Sequence, residues 1–209
     1  ARTALTASHA GYDAVVLRNH FDADGADAYP SYDVPDKPTV PVHEGIEVRA
    51  EGVEELHEAV NRAEMEDAAV VAVHGGDETV NRAAIEAGAD LLAHPNRGRG
   101  LSFDHVLARE AAEEGVAVEL SLASVLRASG GERVRAIRDL QTTLRLVRKY
   151  GTPFVVSADP RTHLHLRAPR ELASVAHLVG IGDDEFDRGT KETPARLLAD
   201  DDAPVEAVE

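Results

Sequence analysis

The sequence predicts an α/β fold, a TIM-like (β/α) barrel of parallel strands, on three observations. Short apolar runs recur six times and are mostly continuous rather than alternating, as in strands buried on both faces. The segments between them carry apolar residues at helical spacing. Almost every apolar run ends in polar or ionisable residues, which a barrel would gather around one rim. An open doubly wound sheet concentrates its chemistry at one switch point instead. No Gly-x-Gly-x-x-Gly follows a strand, and Asn96-Arg97-Gly98-Arg99-Gly100 does not fit that pattern, so dinucleotide binding has little support.

In chain order, Thr3 to His9 reads as a helix ending at Gly11. No strand precedes it, so the barrel is expected to lack its first strand. Ala14–Leu17 is the first strand and ends in Arg18-Asn19-His20. Residues 22–43 form a long acidic loop with Pro30, Pro35, Pro38, Pro41, Tyr29 and Tyr32. A loop of that length is expected to be disordered, a lid or a partner contact. Ile46–Val48 follows as a strand ending at Arg49, then a helix with its stripe on Val53, Leu56, Val60 and Ala63. Val70–Val73 ends in His74-Gly75-Gly76-Asp77, and Asp90–Ala93 ends in His94-Pro95-Asn96-Arg97. Phe103, Val106, Leu107 and Ala111 mark the next helix, and Val116–Leu120 the strand that ends at Ser121. Arg133–Tyr150 is the longest helical pattern, with Val134, Ile137, Leu140, Leu144 and Val147 on one stripe. Phe154–Val156 leads to Ser157-Ala158-Asp159, and Leu172, Val175, Ala176 and Val179 mark a last helix ending at Gly180. Residues 1–199 are read as one domain, and 200–209 as an acidic, frayed tail.

A chain of 209 residues with 43% hydrophobic content can bury a full core without staples. The absence of cysteine excludes disulfides and thiol catalysis. No apolar run approaches the ~20 residues of a membrane span, so a cytoplasmic protein is expected. The net charge is −16, and the cations are three lysines against nineteen arginines. A surface this acidic and this poor in lysine fits a salt-rich cytoplasm. The charge is also uneven. Arg97 to Arg170 holds thirteen cations and eight carboxylates, a local +5, while the remainder holds nine and thirty, a local −21.

Two constellations could carry chemistry. His20, Glu47, His74, His94, Glu119 and Asp159 all fall at or near strand ends, where a barrel mouth could hold a metal ion. A free-standing phosphoesterase would use a divalent metal on His20, His74, His94, Glu119 and Asp159. None of these strand ends carries a His-x-His pair, which weighs against it. The second constellation is the long helix, where Arg135, Arg138, Arg145 and Lys149 fall within a sector of about 80°. Arginine forks suit phosphate oxygens. Arg97 and Arg99 sit between glycines, and Arg161, His163, His165, Arg167 and Arg170 cluster after the Phe154 strand.

One ordered series of segments resembles a known family. It runs through Asp90-Leu91-Leu92-Ala93-His94-Pro95, Gly100-Leu101, Val118-Glu119-Leu120-Ser121, Lys149-Tyr150-Gly151, Ser157-Ala158 and Leu166-Arg167-Ala168-Pro169-Arg170-Glu171-Leu172. Over roughly residues 11–180 the sequence resembles the barrel-shaped protein subunits of archaeal ribonuclease P, component 3. The resemblance implies a fold related to metal-dependent phosphoesterase barrels but an accessory role. The catalytic centre belongs to the RNA, and the complex is the endonuclease that removes 5′ leaders from precursor tRNA. It also implies partnership with the small component 2 subunit and with ribonuclease P RNA. On this view no catalytic residue, cofactor or metal is expected in the chain. The residues expected to contact RNA phosphates are Arg97, Arg99, Arg127, Arg133, Arg138, Arg145, Lys149, Arg161 and Arg167. Aromatics make up 4% of the chain, too few for a base-stacking platform.

Overall fold

The computed structural model describes residues 2–22, 38–50, 52–64, 68–96 and 102–199. Helix α1 (Arg2–Ala10) is followed by β1 (Val15–Asp22), β2 (Val42–Arg49), α2 (Val53–Glu64), β3 (Val70–His74), α3 (Glu78–Glu86) and β4 (Leu91–Ala93). Then come α4 (His105–Glu114), β5 (Ala117–Ser121), α5 (Ala123–Arg127), α6 (Gly130–Tyr150) and β6 (Phe154–Ser157). The chain continues through a 3₁₀ turn (His163–His165), α7 (Pro169–Val179), α8 (Asp183–Asp187), a π-helical turn (Arg188–Glu192) and α9 (Thr193–Ala199). Both ends of the predicted 22–43 loop belong to strands, since β1 runs through Asp22 and β2 begins at Val42. Residues 23–37 and the tail 200–209 lie outside the described residues.

The six strands are parallel and lie in sequence order in one sheet. The sheet cannot be flat. Four strand spacings between β1 and β5 would separate them by about 19 Å, yet Arg18 on β1 reaches Glu119 on β5 at 3.0 Å. A second tie links the two ends of the sheet, where the Tyr12 hydroxyl donates to the Arg167 carbonyl at 2.7 Å. The result is a curled half-barrel. Among the described residues β1 pairs with β2 alone and β6 with β5 alone.

Strand parity assigns the two faces. The outward residues Val71, Val73, Leu92, Val118, Leu120, Phe154 and Val156 join the main core with Leu56, Val60, Ile85, Leu107, Leu144, Val147, Leu172 and Ala176 from the helices. Three residues of each of three predicted stripes are buried, while Val106 and Val175 are half-buried and Val53, which starts α2, stays exposed. The inward residues are layered. Val70, Ala72, Leu91 and Ala117 form a small apolar floor that Leu197 of α9 closes from below. Above that floor the inward positions include Arg18, His20, Glu47, His74, Glu119 and Ser157, with Ala93 beside His74, so the upper interior is mostly polar. The outer side of β6 is covered by the π-helical turn, where Gly189 lies so near Val156 that a Cβ would stand 2.7 Å from its methyl carbon.

Helix α6 is unevenly seated. Thr143, Leu144 and Val147 are buried, whereas residues 131–135 are all exposed and Val134 keeps 48% of its surface. The predicted apolar stripe is thus covered only toward its C-terminal half.

Candidate nucleic-acid interface and barrel mouth

The strand ends bring the predicted rim together. His20 and Glu47 are register partners on β1 and β2. Glu47 Oε1 lies 2.5 Å from His74 Nδ1 and 3.5 Å from His20 Nε2. His94, just past β4, stands 4.0 Å from Glu119 and 3.9 Å from Asp159. Both His94 and Asp159 have positive φ, 51° and 41°, a strained backbone for residues other than glycine. At the centre is Arg18, two residues before His20 on the same strand face. Its Nε stands 3.4 Å from Glu47, and its Nη2 donates to Glu119 Oε1 at 3.0 Å. Ser157 Oγ donates to the same Glu119 oxygen at 2.9 Å.

This ring sets its own charge states. Burial alone would raise the Glu47 pKa, but the His74 hydrogen bond and the Arg18 charge outweigh it and hold the carboxyl at about 2. Burial lowers the pKa of His94, against the pull of Glu119 and Asp159. Burial opposes the Arg18 charge, and Glu119, Glu47 and Asp159 overcome it, so its proton is held more firmly than usual.

Both the histidine and the carboxyl are depressed in the folded state, so both contributions are present at neutral pH and lost in acid. His94 begins to act below its ordinary 6.5. Glu47 loses its part from 4.5 down to about 2. Replacing His94 by Asn, which tolerates positive φ, should flatten the fall in melting temperature between about pH 6.5 and pH 5. Parallel melting curves for the two proteins over that range would contradict the assignment.

The metal set implied by barrel phosphoesterases fits poorly as it stands. His20, Glu47 and His74 place donor atoms within 4.8 Å of one another. However, Glu47 gives one oxygen to His74 and turns the other to a guanidinium, and Arg18 already bridges two of the carboxylates.

The basic wall is built on α6. Arg135, Arg138, Arg145 and Lys149 are all exposed, and none has a carboxylate partner among the described residues. Arg145 Nη2 donates to Thr142 at 2.9 Å, and Lys149 sits 4.9 Å from the centre of the Tyr150 ring. At 1.5 Å per residue the row is about 21 Å long. Several cations elsewhere are paired, Arg82 with Glu110, Arg109 with Glu113, Arg148 with Glu185 and Lys191 with Asp187, whereas Arg170, Arg188 and Arg196 are exposed like the row. The other expected RNA contacts divide. Arg133 is exposed and donates to the Ala128 carbonyl at 2.8 Å. Arg127 is turned to Asp159, and Arg167 to the carbonyls of Leu164 and Leu166. Arg161 is exposed on the loop after β6. Arg97 and Arg99 lie outside the described residues.

Their flanks are firmly held. Asn96 Nδ2 donates to Thr143 of α6 at 2.7 Å, and Phe103 N donates back to Asn96 Oδ1 at 3.0 Å. Asn81, fully buried on α3, donates to the carbonyls of Pro95 and Ser102, both at 2.8 Å, and accepts from Gly76 N at 3.0 Å. Sequence reasoning placed Arg18 and Ser157 at strand ends but not among the candidate site residues, and it missed Asn81, which carried no signal.

Known proteins resemble this arrangement at two levels. The solved structure of archaeal ribonuclease P with mature tRNA, determined by cryo-EM, contains a chain that matches with a TM-score of 0.77. Identity is 24%, and the match covers all of this chain and 94% of that one. An ochratoxinase from A. niger matches at TM-score 0.63 and 14% identity, over 94% of this chain and 63% of its own. These likenesses concern the fold. In sequence, ribonuclease P protein component 3 of Haloarcula marismortui is 47% identical over 193 residues, 92% of this chain and 80% of that relative. The component 3 protein of Natronomonas pharaonis is 44% identical over 183 residues, covering 87% and 74%. The model of RNase P subunit p30 matches residues 1–203, and the chain therefore belongs to the RNase P subunit p30 family.

Proposed function

We propose that this chain is an accessory protein subunit of ribonuclease P that binds the RNA through the outer wall of its half-barrel. The catalytic RNA removes the 5′ leader of precursor tRNA, and the protein holds RNA phosphates in place. The supporting observation is the row Arg135, Arg138, Arg145 and Lys149. Four exposed cations on one helix, without carboxylate partners among the described residues, stand out in a chain of net charge −16. Arg133 lies on the same helix, and Asn96, which precedes the Arg97–Arg99 segment in the sequence, is tied to α6. Component 2 and the other protein subunits complete the assembly. Among the described residues no helix is long and apolar enough to cross a membrane, which agrees with work in the cytoplasm.

The test is reconstitution on a precursor tRNA. Adding this chain to the RNA and the remaining subunits should raise cleavage severalfold or more. The chain alone, with magnesium or manganese, should cleave neither the precursor nor a simple phosphodiester. Equal cleavage with and without the chain would defeat the proposal.

A further inference from the structure

The upper interior of the barrel is a polar ring that the RNA-facing wall does not use. Its carboxylates are Glu47, Glu119 and Asp159, and its cations are Arg18 and Arg127. Arg18 stands in the middle. It leaves β1 and joins a carboxylate on β2 to one on β5, the kind of bridge that a divalent ion makes between acidic groups from separate strands.

We infer that the Arg18 guanidinium is a built-in cation occupying the position of a metal ion, and that the ring beneath it is a masked divalent-metal site. Three observations carry this. First, His20, Glu47 and His74 already converge, with donor atoms within 4.8 Å of one another. They are nitrogen and carboxylate donors, the set that zinc and its borderline neighbours take.

Second, the guanidinium fits its place incompletely. Arg18 Nη1 is buried without a hydrogen-bond partner, and so is Glu119 Oε2, on a residue only 3% exposed. A buried pair built only for each other would match its donors and acceptors two against two. Here one amino group of the guanidinium and one carboxylate oxygen are left over, and that oxygen is one that a metal could take.

Third, the ring keeps strain that its present contacts do not require. His94 and Asp159 hold positive φ while approaching only to 3.9 Å. Strained residues of this kind persist where the surroundings over-determine them, and they cluster at binding sites.

Arg18 supplies one charge without a binding equilibrium. It also repels any second cation from the same few ångströms. The mouth is therefore neutralised whatever the metal concentration, and its histidines serve as hydrogen-bonding partners rather than ligands.

The experiment titrates the chain with zinc and follows binding by calorimetry and melting temperature. The unmodified protein should show no tight site that depends on His74. Arg18→Met should gain one zinc site, bound about a hundredfold more tightly or better, reversed by chelator and lost in Arg18→Met/His74→Gln. Arg18→Lys keeps the charge and should stay metal-free. If Arg18→Met does not fold, one equivalent of zinc or millimolar ethylguanidinium should restore it by refilling the same position. A His74-dependent zinc site in the unmodified protein would overturn the inference. So would a folded Arg18→Met with unchanged zinc affinity, showing an adventitious ion only, or an unfolded one that neither cation restores.

Discussion

Reversing three charges on α6, with Arg135→Glu, Arg138→Glu and Arg145→Glu combined, should weaken binding to ribonuclease P RNA by about a hundred- to a thousandfold near 0.1 M salt. Each phosphate contact contributes about 0.7–0.9 to the slope of log affinity against log salt. Losing three removes between two and three decades relative to molar salt. The slope itself should drop by the same two to three. The three side chains are exposed and make no ion pair among the described residues, so folding stability should stay within about 1 kcal/mol. Equilibrium binding over a salt series measures all of this. An unchanged slope would mean that the row does not touch phosphate. Lysine at the same three positions separates charge from geometry. It should match arginine at low salt and fall behind near 1 M, where the screening length is about 3 Å and the bidentate fork is what remains.

The largest stability effect should come from a residue with no charge. Asn81→Leu strands the Gly76 N–H and the carbonyls of Pro95 and Ser102. An orphaned buried group costs roughly 1–3 kcal/mol, so a loss of about 4 kcal/mol is expected, or about 10 °C in melting temperature for a chain of this size. The neighbouring Gly75 belongs to the same device, since a Cβ there would collide with Asn81 Oδ1 and with Leu92. Denaturant unfolding of Asn81→Leu beside the conservative Asn81→Asp would check the origin of the effect. The aspartate keeps the acceptor for Gly76 and loses the two donors. A loss under about 1 kcal/mol in Asn81→Leu would show that water replaces the missing amide.

The strands were legible because a barrel strand is buried on both faces, so Val70–Val73 or Phe154–Val156 reads as one apolar run. The ends of the runs disclosed the ring, because His74, His94 and Asp159 follow directly on apolar residues. Arg18 is harder to read. Its role depends on β1 and β5 meeting across the curl, and nothing local to Arg18 announces Glu119 a hundred residues later. Asn81 is invisible for the same reason, an amide on an ordinary amphipathic helix. The closing elements were missed altogether. Leu197 seals the barrel floor from a short helix whose two or three apolar residues carry no period, and the π-helical turn beside it has no sequence signature beyond Gly189. Component 3 relatives from Haloarcula and Natronomonas accord with the salt-rich cytoplasm that the acidic, lysine-poor composition suggested.

The uneven seating of α6 has a thermodynamic consequence for any ligand of its basic face. Its last turns are fixed by Leu144 and Val147, but the first turns begin on Gly130 and Gly131, and residues 131–135 are all exposed. Over so few residues, intrahelical hydrogen bonds alone hold a helix only marginally. Arg133 and Arg135 ride on that part. An RNA strand that pins them must also suppress the conformational freedom of the backbone beneath, at about 1–2 kcal/mol per residue newly fixed. Association at this end should therefore be enthalpy-driven with an opposing entropy, whereas Arg145 and Lys149 offer a surface whose order is already in place.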